Sequence, residues 1–297
     1  FVGYQSGDAT TTADSNVGIG RGTLTTNILS DHNTAIGNGA LFTHNQASSI
    51  DSYNTAVGSN AGASVTTGVN NTLIGGVAGD ALTDADNNVV VGANALTSDT
   101  LGSKTTAIGK DALAVQNFTT ATDTFNVAVG FSAGVAVTTG VQNTLIGALA
   151  GDALTDSDFN VAVGYDALSA ETLGARNVAV GHEALASQNS TTATTTYNTA
   201  VGMNAGRLVT TGDRNTLIGG LAGDALNTGA ANVAVGYLAL SADTKGSSNV
   251  AVGRSALTAQ NFTTATDSFN TAVGDRAGTA VTTGVQNTLI GGLAGDA

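Results

Sequence analysis

The phrase NTAVGSNAG, Asn54 to Gly62, decides the fold, because lightly edited copies of it fill the chain: NTLIGGVAG from Asn71, NVAVGFSAG from Asn126, NVAVGYDAL from Asn160. With the Gly after each AV or LI taken as position zero, the copies are centred on Gly3, Gly20, Gly37, Gly58, Gly75, Gly92, Gly109, Gly130 and onward to Gly291. The spacing is 17 residues with every fourth step 21, so a 72-residue super-repeat links Gly58, Gly130, Gly202 and Gly274. A 17-residue unit is too short for a helix pair or a propeller blade, and it suits one coil of a β-solenoid.

The slots around the Gly agree. Position −1 is Val or Ile in every copy, from Val2 to Ile290, and position −3 is Thr or Val. β-Branched residues on a two-residue period are strand chemistry, and Gly at zero ends the strand by allowing a positive φ. Position −4 is Asn54, Asn71, Asn88, Asn126, Asn143, Asn160, Asn177, Asn198, Asn215, Asn232, Asn249, Asn270 and Asn287, with Thr105 the one exception. Asn accepts left-handed geometry and bonds nearby backbone, so it is expected at a corner; coils stacked about 4.8 Å apart would set these amides in a ladder. Position +4 cycles Gly62, Gly79, Leu96, Leu113, matching the 72-residue period, so the four coils of a super-repeat are structurally distinct.

Position −2 is also apolar, as in Ala56, Leu73, Val90 and Ala107. A solvent-facing row should be polar. The expectation is therefore that the −1 row enters the coil interior while the −2 row packs against sister chains around a shared axis. The predicted fold is all-β: a parallel β-solenoid shaft over residues 1–297, with super-repeats 54–125, 126–197 and 198–269 and partial repeats at both ends. The two ends occupy the same phase without a capping segment, which points to an excerpt of a longer shaft.

Composition excludes much else. The chain has 40 Gly, no Pro, Cys or Trp, and few aromatics, which suits a thin core filled by Ala, Val and Leu. A net charge of −13 argues against nucleic acid and anionic membranes as partners, and no apolar run reaches the ~20 residues of a membrane span. No repeated His, Cys or acid–base pair converges, so neither catalysis nor a cofactor is expected. The acids of GDALTDAD (Asp80, Asp84, Asp86) and GDALTDSD (Asp152, Asp156, Asp158) raise the question of calcium. The third copy, GDALNTGA, loses the later acids, and the reading is solvated turns without metal.

The extra residues of the 21-residue coil fall in Thr-rich bulges, QNFTTATDTF from Gln116, QNSTTATTTY from Gln188 and QNFTTATDSF from Gln260, with HNQASSIDSY from His44 more divergent. Projecting every 72 residues, about 19 Å apart, they are the candidate contact surface: Phe118, Thr119, Thr120, Thr122 and Asp123; Ser190, Thr191 and Thr192; Phe262, Thr263, Thr264 and Asp267. Tyr53, Phe125, Tyr197 and Phe269 close the bulges and are read as anchors, whereas Phe118 and Phe262 vary between copies and are expected to be exposed. Asn117, Asn189 and Asn261 begin N-x-[ST] triplets that repeat copying explains.

NTAVGxxA and NVAVGxxAL resemble the repeats of trimeric autotransporter adhesin heads and, more closely, those of phage tail-fibre proteins, over essentially the whole chain. Here Asn sits four residues before the Gly and the coil is 17 or 21 residues long, which favours the tail-fibre branch. The resemblance implies a left-handed parallel β-roll, a homotrimer, a place on an extracellular, cell or virion surface, and a role in attachment to a receptor or glycan. The expected function is a structural, non-enzymatic fibre shaft. The alternatives are a self-polymerising end-to-end filament and, more remotely, an ice-binding solenoid, which would need a Thr array on nearly every coil. The Thr pairs of VTTG occur once per 72 residues.

Overall fold

A computed structural model describes residues 1–297. It contains 24 strands and no helix, and it divides into two compact units, Phe1–Leu145 and Ile146–Ala297. Each unit is a parallel β-solenoid in which one copy of the phrase makes one coil. In the first, the strands Val17–Ile19, Thr34–Ile36, Thr55–Val57, Thr72–Ile74, Val89–Val91 and Thr106–Ile108 pair in succession, slot on slot: Thr55 with Thr72, Ala56 with Leu73, Val57 with Ile74. In the second, the strands from Val161–Val163 to Thr288–Ile290 repeat the scheme, as in Val178 with Thr199 and Val180 with Val201.

Gly at position zero is required twice over. Gly58 has φ +144°, and a Cβ there would lie 2.2 Å from the carbonyl oxygen of Gly75 on the next coil. The left-handed corner falls one residue earlier than the Asn: His32, Tyr53, Phe125 and Arg176, all at position −5, have φ of 60°, 50°, 51° and 64°. This frees the Asn side chain to point inward. Asn54, Asn71 and Asn88 are fully buried. Each Oδ1 accepts the backbone N–H of the Asn one coil on (Asn71 to Asn54, 3.0 Å; Asn88 to Asn71, 3.0 Å), and each Nδ2 donates across the coil (Asn71 to Ala85 O, 2.7 Å). The second unit carries the same ladder through Asn198, Asn215 and Asn232. Thr105 keeps the donor, its N–H bonding Asn88 Oδ1 at 2.8 Å.

The two faces of the strand are opposite to expectation. The −2 residues Ala56, Leu73, Val90, Ala107, Ala162 and Leu217 are fully buried inside the coil, and it is the −1 and −3 rows that face outward. The physical reason is coil width. Position −2 shares the interior with Ala at +3, Gly or Leu at +4 and a fourth residue at +7, and only a small residue fits on most coils.

The super-repeat is a pattern of core volume. Where +4 is Gly, a Leu from the strand occupies the space: a Cβ on Gly62 would come within 2.5 Å of Leu73 Cδ1, and one on Gly206 within 2.6 Å of Leu217 Cδ1. On those coils position +7 is apolar, as in Val65, Leu82, Val209 and Leu226. Where +4 is Leu, as in Leu96 and Leu113 at φ 50°, a left-handed backbone costs about 1–2 kcal/mol and burial of the side chain returns about 1.5–3 kcal/mol, so burial wins. On those coils +7 turns polar: Asp99 and Gln116, Glu171 and Gln188, Asp243 and Gln260, all fully buried.

Candidate functional site: the bulges and their buried clamps

Each bulge leaves the coil after position +8 and folds back on the preceding coil through a two-residue parallel pair. Thr122–Asp123 pairs with Gly102–Ser103, Thr194–Thr195 with Gly174–Ala175, Thr266–Asp267 with Gly246–Ser247 and Ile50–Asp51 with Ser30–Asp31. Thr119, Thr120, Asp123, Thr191, Thr192, Thr263, Thr264 and Asp267 are exposed, and Thr122 is half-buried.

Phe118, Phe262 and Ser190 correct the sequence reading. They are buried, at 7%, 6% and 6% exposure, whereas Tyr53, Phe125, Tyr197 and Phe269 stand in solvent at 51% or more. The anchor is the residue that varies, and it varies because it fills space over a buried carboxylate. Asp99 Oδ1 accepts the N–H of Phe118 (3.1 Å) and of Gly102 (3.1 Å), and Oδ2 accepts Gln116 Nε2 (2.7 Å). Gln116 Oε1 in turn accepts Nδ2 of the ladder residue Asn126 (2.8 Å). Asp243 repeats this with Gly246, Gln260 and Phe262. In the middle copy the acid is Glu171. Its Oε1 accepts the N–H groups of Gly174 (2.7 Å) and Ser190 (2.9 Å), while Gln188 (2.8 Å) and the Ser190 hydroxyl (3.1 Å) bond Oε2. The longer acid is paired with the smaller neighbour.

Burial raises the Asp99 carboxyl above the usual carboxylate range, and its bonds from Gln116, Phe118, Gly102 and Thr100 offset part of that rise. The first copy lacks the acid: Asn27 holds that slot and His44 holds the Gln slot. His44 is fully buried with no hydrogen-bonding partner at either ring nitrogen, and desolvation lowers its pKa to about 4, the Thr66 backbone opposing weakly. The exposed aromatics lie over polar surface neighbours: Lys104 is 5.2 Å from the Phe125 ring and pairs with the bulge residue Asp123, while the His32 ring lies 5.1 Å from Tyr53, whose hydroxyl donates to Asp51 of its own bulge (3.0 Å).

Sequence reasoning missed two features. The clamp was signalled by polar residues at +7 on alternate pairs of coils, a slot left untracked. The second is an outward row at +8: Thr66, Thr83, Thr100 and Asn117 in the first unit; Thr155, Thr172, Asn189, Thr210, Asn227, Thr244 and Asn261 in the second. Thr hydroxyls donate to the next coil, Thr83 to Thr100 O (3.0 Å) and Thr244 to Asn261 Oδ1 (3.0 Å). The Asp turns are local: Asp84 accepts the Thr67 hydroxyl (2.6 Å), Asp86 accepts the Val69 N–H (2.8 Å), and no three acidic or His side chains converge as a metal site. No helix is long and apolar enough to cross a membrane. In the second unit, beside the bulge from Gln260, an open groove of about 630 Å³ is lined by Leu208, Thr210, Asn227, Thr244, Lys245 and Thr263 among others.

No described protein family matches the chain, and no curated protein matches it.

Proposed function

We propose that the chain forms the shaft of an extracellular or virion-surface fibre, assembled from three copies, that carries contact loops for attachment and performs no catalysis. The observation that supports this best is the outer face of the parallel sheet in each unit. On successive coils it presents Val or Ile at −1 beside Thr or Val at −3, with Ile74 and Ile218 exposed at 38% and 39%. A row of branched apolar groups on every coil is a surface for partner contact, and copies of the same chain have the matching repeat. The subunit contact is thereby assigned to the −1 and −3 rows, the −2 row being the coil's own core. The exposed Thr residues of the bulges are the surface offered to a receptor or glycan.

Light scattering on the native protein tests the assembly. A mass near three times 29.0 kDa, reduced to one chain when Ile74 and Ile218 are both changed to Lys, is the expected result. A monomeric wild type overturns it, while a mass that climbs with concentration favours end-to-end filaments. The Thr and Asn row at +8, present on consecutive coils, favours ice binding as a second reading; a thermal-hysteresis measurement showing no activity removes it.

A further inference from the structure

The third super-repeat departs from its siblings around position 245. Position 245 is Lys where the earlier copies have Leu101 and Leu173, and position 208 is Leu where they have Ser64 and Ala136. The acids Asp84 and Asp86 of the first copy, and Asp156 and Asp158 of the second, are replaced by Thr228 and Ala230. In the second copy, Asp156 and Asp158 line a groove together with Leu173. In the third, Lys245 lines a different groove, which shares only that position with the other, and Leu208, Thr210, Asn227, Thr244 and Thr263 surround it. Around position 245 two carboxylates have thus been removed and one ammonium added, and no acid lines the groove that Lys245 enters. Lys104 and Lys110 each have a carboxylate partner, whereas Lys245 makes no ion pair.

We infer that this groove binds a carboxylate-bearing saccharide, with Lys245 holding the carboxylate. The argument rests on charge, lining and size. One unpaired cation in a chain of net charge −13 suits a ligand with isolated negative charges and repels a dense polyanion. The Thr210 and Thr244 hydroxyls spend their hydrogens on Asn227 and on Asn261 and Phe262, which leaves lone pairs to accept from sugar hydroxyls. Leu208 supplies an apolar wall for a ring face, and about 630 Å³ accommodates a short oligosaccharide. Arg207 lies next in sequence but faces Asp224, so the cation free for a ligand is Lys245.

The inference deepens the attachment reading by naming a ligand class for one surface, and it is independent of the subunit count. Trigalacturonic acid is titrated into the native protein by calorimetry, with its fully methyl-esterified form as the uncharged comparator. The expected result is saturable binding, weakened at least about tenfold by esterification and equally by Lys245→Leu, which installs the residue already accommodated in both sibling copies. Lys245→Gln, which keeps the length of the side chain, should lose binding in the same way. Absence of wild-type binding at millimolar ligand, or binding by either variant, or of the ester, as tight as that of the acid to wild type, overturns the proposal. None of these outcomes alters the mass measured by light scattering.

Discussion

Lowering the pH should loosen the first unit through His44, a loss that His44→Gln should remove. His44 is fully buried, and its pKa drops from 6.5 to about 4 because the cationic ring would lose its hydration, which the Thr66 backbone offsets only in part. A folded-state pKa below the unfolded value means that the unfolded chain takes up the proton first. The stability this residue provides is therefore present above pH 6.5 and is lost as pH falls toward 4. With 1.36 kcal/mol per pKa unit, about 2 kcal/mol disappears between pH 7 and pH 5 and about 3 kcal/mol by pH 4. Gln is the residue at this slot in the other three copies, where its side-chain oxygen accepts the amide of the next ladder Asn; Asn54 stands at that place here. The assay pairs an NMR titration of the His44 ring with urea unfolding of wild type and variant from pH 7 to pH 4. The difference between the two proteins isolates His44 from Asp80, Asp99, Asp152 and Asp224, whose carboxyls burial moves the other way. A ring that titrates at its ordinary value, or a variant whose stability falls with pH as steeply as wild type, would refute the reasoning.

Two further outcomes follow from the clamp and the ladder. Ser190→Phe should destabilise the second unit by about 1–3 kcal/mol through overpacking against Glu171, and adding Glu171→Asp, which recreates the Asp–Phe pair of the flanking copies, should recover most of that; additive losses in the denaturation cycle would contradict a volume trade. Asn71→Ala leaves the Asn88 N–H and the Ala85 carbonyl without their buried partners, at a cost of about 1–3 kcal/mol for each unsatisfied group, so amide exchange at Asn88 should accelerate; unchanged protection there would mean that the ladder is ornamental.

The solenoid and the Asn ladder were legible because backbone requirements repeat: a positive φ at Gly58 and its equivalents, an inward amide at Asn54, and β-branched residues around a strand centre. The direction of the strand faces was misread because apolarity is ordinarily a sign of burial, and here the larger residues, Val57 and Ile74, lie outside while Ala56 lies inside. Width was the missing quantity, and no single coil reveals it; the swap of Gly62 and Leu73 against Leu96 and Asp99 does, once the structure shows that they share one interior. The bulges were found from their length alone. Their internal order escaped notice because variability between Phe118, Ser190 and Phe262 looked like freedom, when it was compensation for Asp99, Glu171 and Asp243.

A chain of near-identical coils faces a hazard that ordinary domains escape: a strand can dock on the wrong neighbour and still satisfy its backbone. The alternation of core volume and polarity limits that error. Slipping by one coil would set a Leu of the +4 slot where the strand already contributes Leu73 or Leu217, and would bring Asp99 or Glu171 against an apolar Leu slot with no N–H groups to receive it. Only a slip of four coils is silent, and that requires 72 residues to be looped out, a closure that adds its own entropic penalty. The four-coil period thus works as a checksum on stacking order, so that a monotonous sequence still specifies one alignment.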